Sequence, residues 1–194
     1  MPPITDHAQR RERIVNAACQ VLATAGLDGF SMRRIAKAAG CTTGMVTHYF
    51  SSKRALVGAA LDHIRRDHDD RARARLAADP SDPAAALAEL LPLDPERANS
   101  LRVWLGFYAA AVADATLRRQ HARIYANWRA VLAETLDQSG VTGTDQEELV
   151  DHLVVALNGL VVQALLDPEH WTAARQRREL GRLVAEALPR DEPG

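Results

Sequence analysis

Residues 31–53, SMRRIAKAAGCTTGMVTHYFSSK, encode two short helices separated by a tight turn. Ser31 predicts the start of the first helix, because its hydroxyl can accept a backbone N–H that the first helical turn leaves unpaired. Ile35 and Ala38 or Ala39 give this helix a short apolar face. Gly40 follows directly, and glycine is the residue that most readily adopts the left-handed conformation at a helix end.

The second helix begins at Thr42 or Thr43, either of which can act as its N-cap. We expect Val46 and Phe50 to point back toward the first helix. The outward surface then consists of short hydroxyls, a glycine and two hydrogen-bonding rings: Thr43, Gly44, Thr47, His48 and Tyr49. Such side chains suit a helix laid in the major groove of DNA. The glycine lets the backbone approach closely, at a helix-propensity cost of about 1 kcal/mol.

Lys53 lies in the first turn of the next helix, which begins at Ser51 or Ser52. A cation is unfavourable at a helix N-terminus, but its position is explained if a DNA phosphate lies beside it. We therefore predict that Arg33, Thr42 and Lys53 mainly contact phosphates, while the outward residues of the second helix face the bases.

The stretch DGFSMRRIAKAAGCTTGMVTHYFSSKRAL, residues 28–56, resembles the DNA-binding module of the TetR family of transcriptional repressors. Within that family, TGMVTHYF is most similar to the BetI-type regulators, and VWLGFYAAAV and ALNGLVVQALL resemble stretches of their bodies. The resemblance implies a helix-turn-helix whose second helix reads an operator half-site. The alternative for the same pattern is an ordinary helical hairpin in an all-α protein.

Composition predicts a globular all-α protein. The chain has 194 residues, of which 47% are hydrophobic and 25% charged, and β-branched runs are short. Two cysteines without metal-ligand spacing, no secretory signal and no apolar run of about 18 residues predict a soluble cytoplasmic protein that does not enter a membrane. We expect no cofactor and no metal site, and we interpret His63 and Asp67 as part of a solvated helix face.

The charge distribution is uneven although the net charge is only −1. Residues 1–60 carry eight basic and three acidic side chains, or +5, which leaves −6 for the remainder. A basic end on an acidic body is the pattern expected when one end meets DNA phosphates.

Apolar periodicity and capping residues predict nine helices and no strand. Three helices up to residue 50 form a DNA-binding domain, residues 1–50, whose first helix begins near Asp6, a good N-cap. A connecting helix over 52–78 joins it to an effector-binding and dimerisation domain, residues 51–194. The run RRDHDDRARAR, residues 65–75, predicts a solvated connector because it is polar nearly all round. Further helices are expected over 83–91, about 101–112, about 114–138, 145–166 and 172–188. A proline-containing link is expected over 92–99, a loop over 140–144 and a tail from 189.

The resemblance implies a ligand-responsive transcriptional regulator, a repressor released from its operator by a small molecule. No nucleophile elbow, phosphate-binding loop or zinc-protease motif occurs, so an enzyme is not expected. The alternative function is a helical adaptor that binds protein and not specific DNA. The effector, the operator sequence, the target genes and the choice between repression and activation are not encoded in any motif.

Specific recognition by such a small module predicts a homodimer on a pseudo-palindromic operator. The surplus apolar surface lies on helices 145–166 and 172–188, which we expect to form a four-helix contact, as the resemblance also implies. The interface candidates are Leu153, Leu157, Leu160, Val161, Ala164, Leu183 and Ala187.

An apolar pocket with a few polar contacts is expected in the body. Its candidate residues are Trp104, Phe107, Tyr108, Trp128, Asn158 and Gln163. Aromatic faces beside an acid such as Asp114 could hold a cation, and the choline-sensing precedent of BetI-type regulators points the same way. An uncharged hydrophobic effector is the rival, and aromatics at helical spacing also occur as plain core.

Overall fold

The computed structural model describes residues 4–138 and 145–187, which form nine α-helices, one 3₁₀ turn and no strand. The helices are α1 (Ile4–Ala25), α2 (Met32–Ala38), α3 (Thr43–Tyr49), α4 (Lys53–Ala78), α5 (Pro83–Leu87), α6 (Pro95–Ala113), α7 (Ala115–Gln138), α8 (Asp145–Leu166) and α9 (Ala173–Ala187), and the turn Ala88–Leu90 follows α5. The predicted all-α fold is confirmed. The loop expected at 140–144 and the tail after 189 lie outside the described residues.

Two predicted boundaries are wrong. Helix α1 begins at Ile4, so Asp6 lies inside its first turn and pairs with Arg10 instead of capping the helix. The expected link over 92–99 is helical from Pro95 onward, because Asp94 Oδ1 accepts the backbone N–H of Arg97 at 2.9 Å. Proline is well placed in the first helical turn, where its missing N–H has no partner to lose.

A continuous apolar core joins the first three helices to the body. Ile14, Ile35 and Val46 are buried with Leu56 and Leu61 of α4, and the same cluster extends to residues of α6 and α7. A second cluster combines residues of α4, α5, α7, α8 and α9. The division predicted at residue 50 stays a prediction, and the core runs across it.

Helix α4 is not the solvated connector that its composition predicts. The exposed fraction of His68 is 5% and that of Asp69 is 1%, and Ala72 and Leu76 are also buried. Helices α5, α6 and α7 pack against α4, so one side of the charged run is enclosed by the body. Only its other side carries solvated charges such as Asp67.

One described helix, Gln146–Leu166, is long and apolar enough to cross a membrane by length and composition alone. The sequence had been expected to contain no apolar run of that length. The helix packs against α6, α7 and α9, and Leu153, Leu157 and Leu160 are buried among the second core cluster. One side of this helix therefore belongs to the core, and a single helix of such length and composition is weak evidence of a span.

Candidate DNA-reading surface and effector cavity

Local capping holds α2 and α3 in a helix-turn-helix arrangement. The Ser31 hydroxyl accepts the backbone N–H of Arg34 at 3.3 Å, and the Thr42 hydroxyl accepts that of Met45 at 3.2 Å. Gly40 has a φ of +64°, a conformation that favours glycine. Of the two capping threonines that the sequence allowed, Thr42 is the one used.

The inner and outer faces of α3 separate as the sequence predicts. Val46 is fully buried, and Phe50 closes the helix with an exposed fraction of 4%. The outer face leaves four of the predicted groove residues exposed: Thr43, Gly44, Thr47 and His48. A Cβ built on Gly44 would meet only Thr42 Oγ1, at 3.8 Å, so nothing inside the protein requires glycine there.

Tyr49 is half-buried, because its ring packs toward α1. Its hydroxyl lies 3.0 Å from His7 Nδ1, and the two ring centroids are 5.9 Å apart. Sequence reasoning missed His7, which lies 42 residues away in the chain and carries no local signal. The contact fixes the C-terminal end of α3 against the first turns of α1.

The predicted phosphate contacts are exposed. Arg33 lies in the first turn of α2, and Thr42 is the N-cap of α3. Lys53 Nζ donates to the Leu27 carbonyl at 2.9 Å and lies 5.9 Å from the centroid of the Phe30 ring. The ammonium is therefore held beside the helix-turn-helix, with further donors left for a phosphate.

A cavity of about 70 Å³ lies in the body between α4, α6, α7 and α8. Four of the six predicted effector residues line it: Trp104, Tyr108, Trp128 and Asn158. Tyr125 was missed, although it lies one helical turn before Trp128 on the same helix. The ring centroids of Tyr108 and Tyr125 are 6.1 Å apart, and those of Tyr125 and Trp128 are 5.5 Å apart.

The structure places Phe107 and Gln163 outside this cavity. Residues 104 and 108 share a face of α6, whereas Phe107 is rotated away and buried in the first core cluster. Gln163 is exposed on α8. Asn158 and Gln163, the two polar residues in the second half of α8, therefore have different surroundings, although the sequence grouped them together.

Tyr108, Tyr125 and Asn158 form the polar contact on the α8 side of the cavity. The two tyrosine hydroxyls are 3.2 Å apart, and the Tyr108 hydroxyl donates to Asn158 Oδ1 at 3.5 Å. The Asn158 amide donates to the Val154 carbonyl at 2.7 Å. Burial raises the pKa of Tyr108 well above its usual value, so the phenol stays protonated.

The opposite wall is the charged side of α4: Arg65, His68 and Asp69. Asp69 Oδ2 pairs with the Arg65 guanidinium, and burial raises the pKa of Asp69 while Arg65 opposes the shift. Burial also lowers the pKa of His68 to about 4, and Arg71 adds to this effect. His68 is therefore neutral at physiological pH.

Asp114 is not the acid of this cavity. Its Oδ1 accepts the backbone N–H groups of Thr116 at 2.6 Å and Leu117 at 3.1 Å, which caps α7. The acid on the cavity wall is Asp69, which the sequence analysis assigned to a solvated stretch. Among residues 4–138 and 145–187, no group of three or more His, Cys, Asp and Glu side chains is placed to hold a metal ion.

Most interface candidates belong to the protomer's own core. Leu153, Leu157, Leu160 and Ala164 are buried there, and Leu157 lines the cavity. Val161 and Leu183 are half-buried, and the Ala187 side chain lies outside the described set. The exposed apolar side chains of α8 are instead Val155, at 72%, and Leu166, at 70%.

Family models match both parts of the chain. The model for bacterial regulatory proteins of the tetR family matches residues 14–60, and the model for the C-terminal part of BetI-type transcriptional repressors matches residues 83–189. The chain belongs to the TetR family of transcriptional regulators. The TetR-family assignment makes it a DNA-binding transcriptional regulator and not an enzyme. Regulators of this family bind operator DNA, dimerise and respond to small molecules.

Individual TetR-family relatives agree with this assignment. The chain is 30% identical over 188 residues to the transcriptional regulator PksA of Bacillus subtilis strain 168, covering 92% of this chain and 89% of PksA. A transcriptional regulator from Rhodococcus sp. Rha1 superimposes with a TM-score of 0.80 at 27% identity, covering 92% of this chain and 95% of the other. The multidrug binding protein EbrR, solved with malachite green, gives a TM-score of 0.69 at 27% identity over 90% of this chain and 98% of EbrR.

Proposed function

We propose that this regulator represses transcription in the cytoplasm as a homodimer on a pseudo-palindromic operator, and leaves the operator when a small molecule fills the body cavity. The observation that carries the DNA-binding part is the outer face of α3. Four small or polar residues are exposed there on a helix whose inner face is locked by Val46. A helix of this kind can enter a major groove without losing its own packing.

Within this proposal, Thr43, Gly44, Thr47 and His48 face the bases, and Tyr49 holds the end of α3 in place through its contact with His7. Arg33, Thr42 and Lys53 contact phosphates and set the register of the helix. Gly44 supports the arrangement, because its side-chain space is open on the protein side. The missing side chain of Gly44 then serves only to let a molecule outside the protein, here the DNA, approach the backbone of α3 closely.

The dimer contact is proposed to lie on α8 and α9. Val155 and Leu166 are large exposed apolar side chains on α8, and half-buried Leu183 lies on α9. Two such helices from each protomer make a four-helix contact that removes this surface from water. The core residues Leu153, Leu157 and Leu160 support α8 from within and do not form the contact surface.

The cavity is proposed as the effector site because apolar and aromatic walls enclose a few polar groups. Two effector classes were open from the sequence, an organic cation and an uncharged lipophile. The rings of Trp104, Tyr108, Tyr125 and Trp128 support the cation, since each offers a π face. The pairing of Asp69 with Arg65 supports an uncharged molecule, since the only carboxylate on the wall is already balanced.

Release follows if the effector binds the conformation that does not fit the operator more tightly than the one that does. Helix α4 offers a route for this coupling, because it lines the cavity through Asp69 and packs on α1 and the helix-turn-helix through Leu56 and Leu61.

The experiment begins with a genome-wide pull-down of bound DNA to obtain the operator. Fluorescence anisotropy then compares the operator with random duplex of equal length across a salt series. We expect tight salt-dependent binding to the operator and at least about a thousand-fold weaker binding to random duplex. Equal affinity for both duplexes would contradict the proposal and favour a protein-binding adaptor.

A further inference from the structure

The α4 wall of the cavity holds polar atoms that have no partner within the described residues. Asp69 Oδ1, His68 Nε2 and Arg65 Nε are all buried without a hydrogen bond. Asp69 is 1% exposed, and its other oxygen is taken by Arg65. A buried polar atom without a partner costs about 1–3 kcal/mol, so a molecule that hydrogen-bonds to these atoms from within the cavity would stabilise this wall.

The chemistry of the three atoms defines what can complete it. The Asp69 carboxylate oxygen only accepts, the Arg65 Nε–H only donates, and the neutral His68 ring can do either at Nε2. A partner must therefore donate to Asp69 and accept from Arg65. A hydroxyl or a carboxamide does both, whereas an ammonium group only donates and a carboxylate only accepts.

The charge balance of the wall gives the same answer. Among the fifteen residues that line the cavity, Arg65 is the only cation and Asp69 the only anion, and they are paired with each other. A charged group placed against this pair would add an uncompensated charge in a largely apolar cavity. A neutral group adds none.

We infer that the effector presents a neutral group which both donates and accepts hydrogen bonds, an alcohol or a carboxamide, to Asp69 and Arg65 on α4, with its apolar part against Trp104 and Trp128. This inference rests on the proposed function, in which the cavity is the effector site. It assigns effector selectivity to the Arg65–Asp69 pair.

A probe series on one four-carbon frame tests this inference with the purified full-length protein. The probes are 1-butanol, butyramide, butylamine, butyrate and 1-chlorobutane, and the readout is the NMR shift of the tryptophan indole N–H signals. Signals of Trp104 and Trp128 are expected to move, while Trp171, which lies outside the cavity, serves as an internal reference. We expect butanol and butyramide to bind at least about ten-fold more tightly than the other three probes, as one or two added hydrogen bonds imply.

Two isosteric variants test the role of the pair. In Asp69→Asn the Arg65 charge loses its counter-ion, so butyrate should become the tightest probe. In Arg65→Gln the Asp69 charge is left alone, so butylamine should become the tightest. Asp70→Asn and Arg66→Gln change exposed charges of the same helix outside the cavity, and both should keep the wild-type ranking.

The inference is overturned if a charged probe or chlorobutane binds the wild-type protein most tightly, or if no probe moves the two cavity tryptophans. An unchanged ranking in both folded cavity variants, checked by circular dichroism, also overturns it. The wild-type ranking decides the matter even if a variant fails to fold. Because no DNA is present, the result is independent of operator release, so failure of the proposed function would be seen separately.

Discussion

The Tyr49 hydroxyl lies 3.0 Å from Nδ1 of His7, so the recognition helix is tied to the first turns of α1 by one side-chain contact. The contact spans two helices that share no adjacent sequence, and it fixes where α3 ends relative to the rest of the module. Its value to the protein is therefore expected in DNA binding more than in stability.

Removing this contact should weaken operator binding. Tyr49→Phe keeps the ring and loses the hydroxyl, and His7→Ala loses the partner. Each change is expected to reduce operator affinity about two- to ten-fold, the range that one exposed hydrogen bond supplies. Anisotropy titrations measure the effect. If the contact acts as described, the double variant loses little more than either single variant; full additivity would show that the two residues act separately.

Lys53→Ala should weaken binding to all duplexes alike and flatten the salt slope by about one. The reason is that, in the proposed docking, its ammonium, held at the Leu27 carbonyl, contacts a phosphate and not a base. Thr47→Ala, on the outer face of α3, should instead change the preference among operator variants. An unchanged affinity and salt slope in Lys53→Ala would show that this docking is wrong.

Gly44→Ala is expected to act in opposite directions on folding and on DNA binding. The added methyl has room and removes a helical glycine, so the free energy of unfolding should rise by up to about 1 kcal/mol. Operator affinity should fall at least ten-fold, because the methyl would stand between the helix and the DNA. Gly106→Ala is the matched control, since Gly106 is also an exposed helical glycine with open space around it. It should stabilise the protein and leave DNA binding unchanged.

His68 is expected to make the protein less stable in mild acid. Its pKa is lowered from 6.5 to about 4 in the folded protein, so between these values the unfolded chain binds a proton that the folded protein does not. The contribution of His68 to the free energy of unfolding is fully present above pH 6.5 and is lost as the pH falls through about 4. At pH 5 the loss amounts to about 2 kcal/mol.

Urea denaturation at pH 7.5 and pH 5 measures this dependence. His68→Gln should remove most of the difference between the two pH values, whereas His152→Gln, at an exposed position on α8, should not. A difference of equal size in the wild-type protein and in His68→Gln would contradict the assignment.

Val155→Arg should produce a folded monomer. Val155 is 72% exposed in the protomer, so a charge there leaves the protomer core intact but disrupts an interface on α8. Val112→Arg is the control, because Val112 is 77% exposed on α6, which is not one of the two helices of the proposed contact. Native mass spectrometry at micromolar concentration measures the oligomeric state of the wild-type protein and of both variants. A wild-type monomer, or a dimeric Val155→Arg, would exclude this interface.

Short-range signals in the sequence predicted the helix-turn-helix well. Capping by Ser31, Thr42 and Ser52 depends on neighbours within three residues, and all three hydroxyls accept the expected backbone N–H. The i, i+4 spacing of Trp104 and Tyr108 likewise placed both on the cavity wall. Such features need no knowledge of what packs from elsewhere.

The charged wall of α4 could not be predicted from composition. The many charged residues suggested a solvent-exposed helix, but α5, α6 and α7 pack over one side of α4 and bury it. The spacing of the apolar residues, unlike the composition, indicates the buried side. Leu61, Ile64, His68, Ala72 and Leu76 continue one helical stripe, and all five are buried. Contacts across the chain, such as that of His7 with Tyr49, leave no local signal at all.

The central claim is that filling the cavity releases the operator, and one titration tests it most directly. The dimer on its labelled operator is titrated with quaternary amines, polyamines and neutral lipophiles while tryptophan fluorescence and DNA anisotropy are recorded together. The account predicts that a compound which perturbs the fluorescence of Trp104 and Trp128 also lowers the anisotropy to that of free DNA. The fluorescence of Trp171, which lies outside the cavity, should not change. A compound that saturates the cavity tryptophans and leaves the operator bound would contradict it.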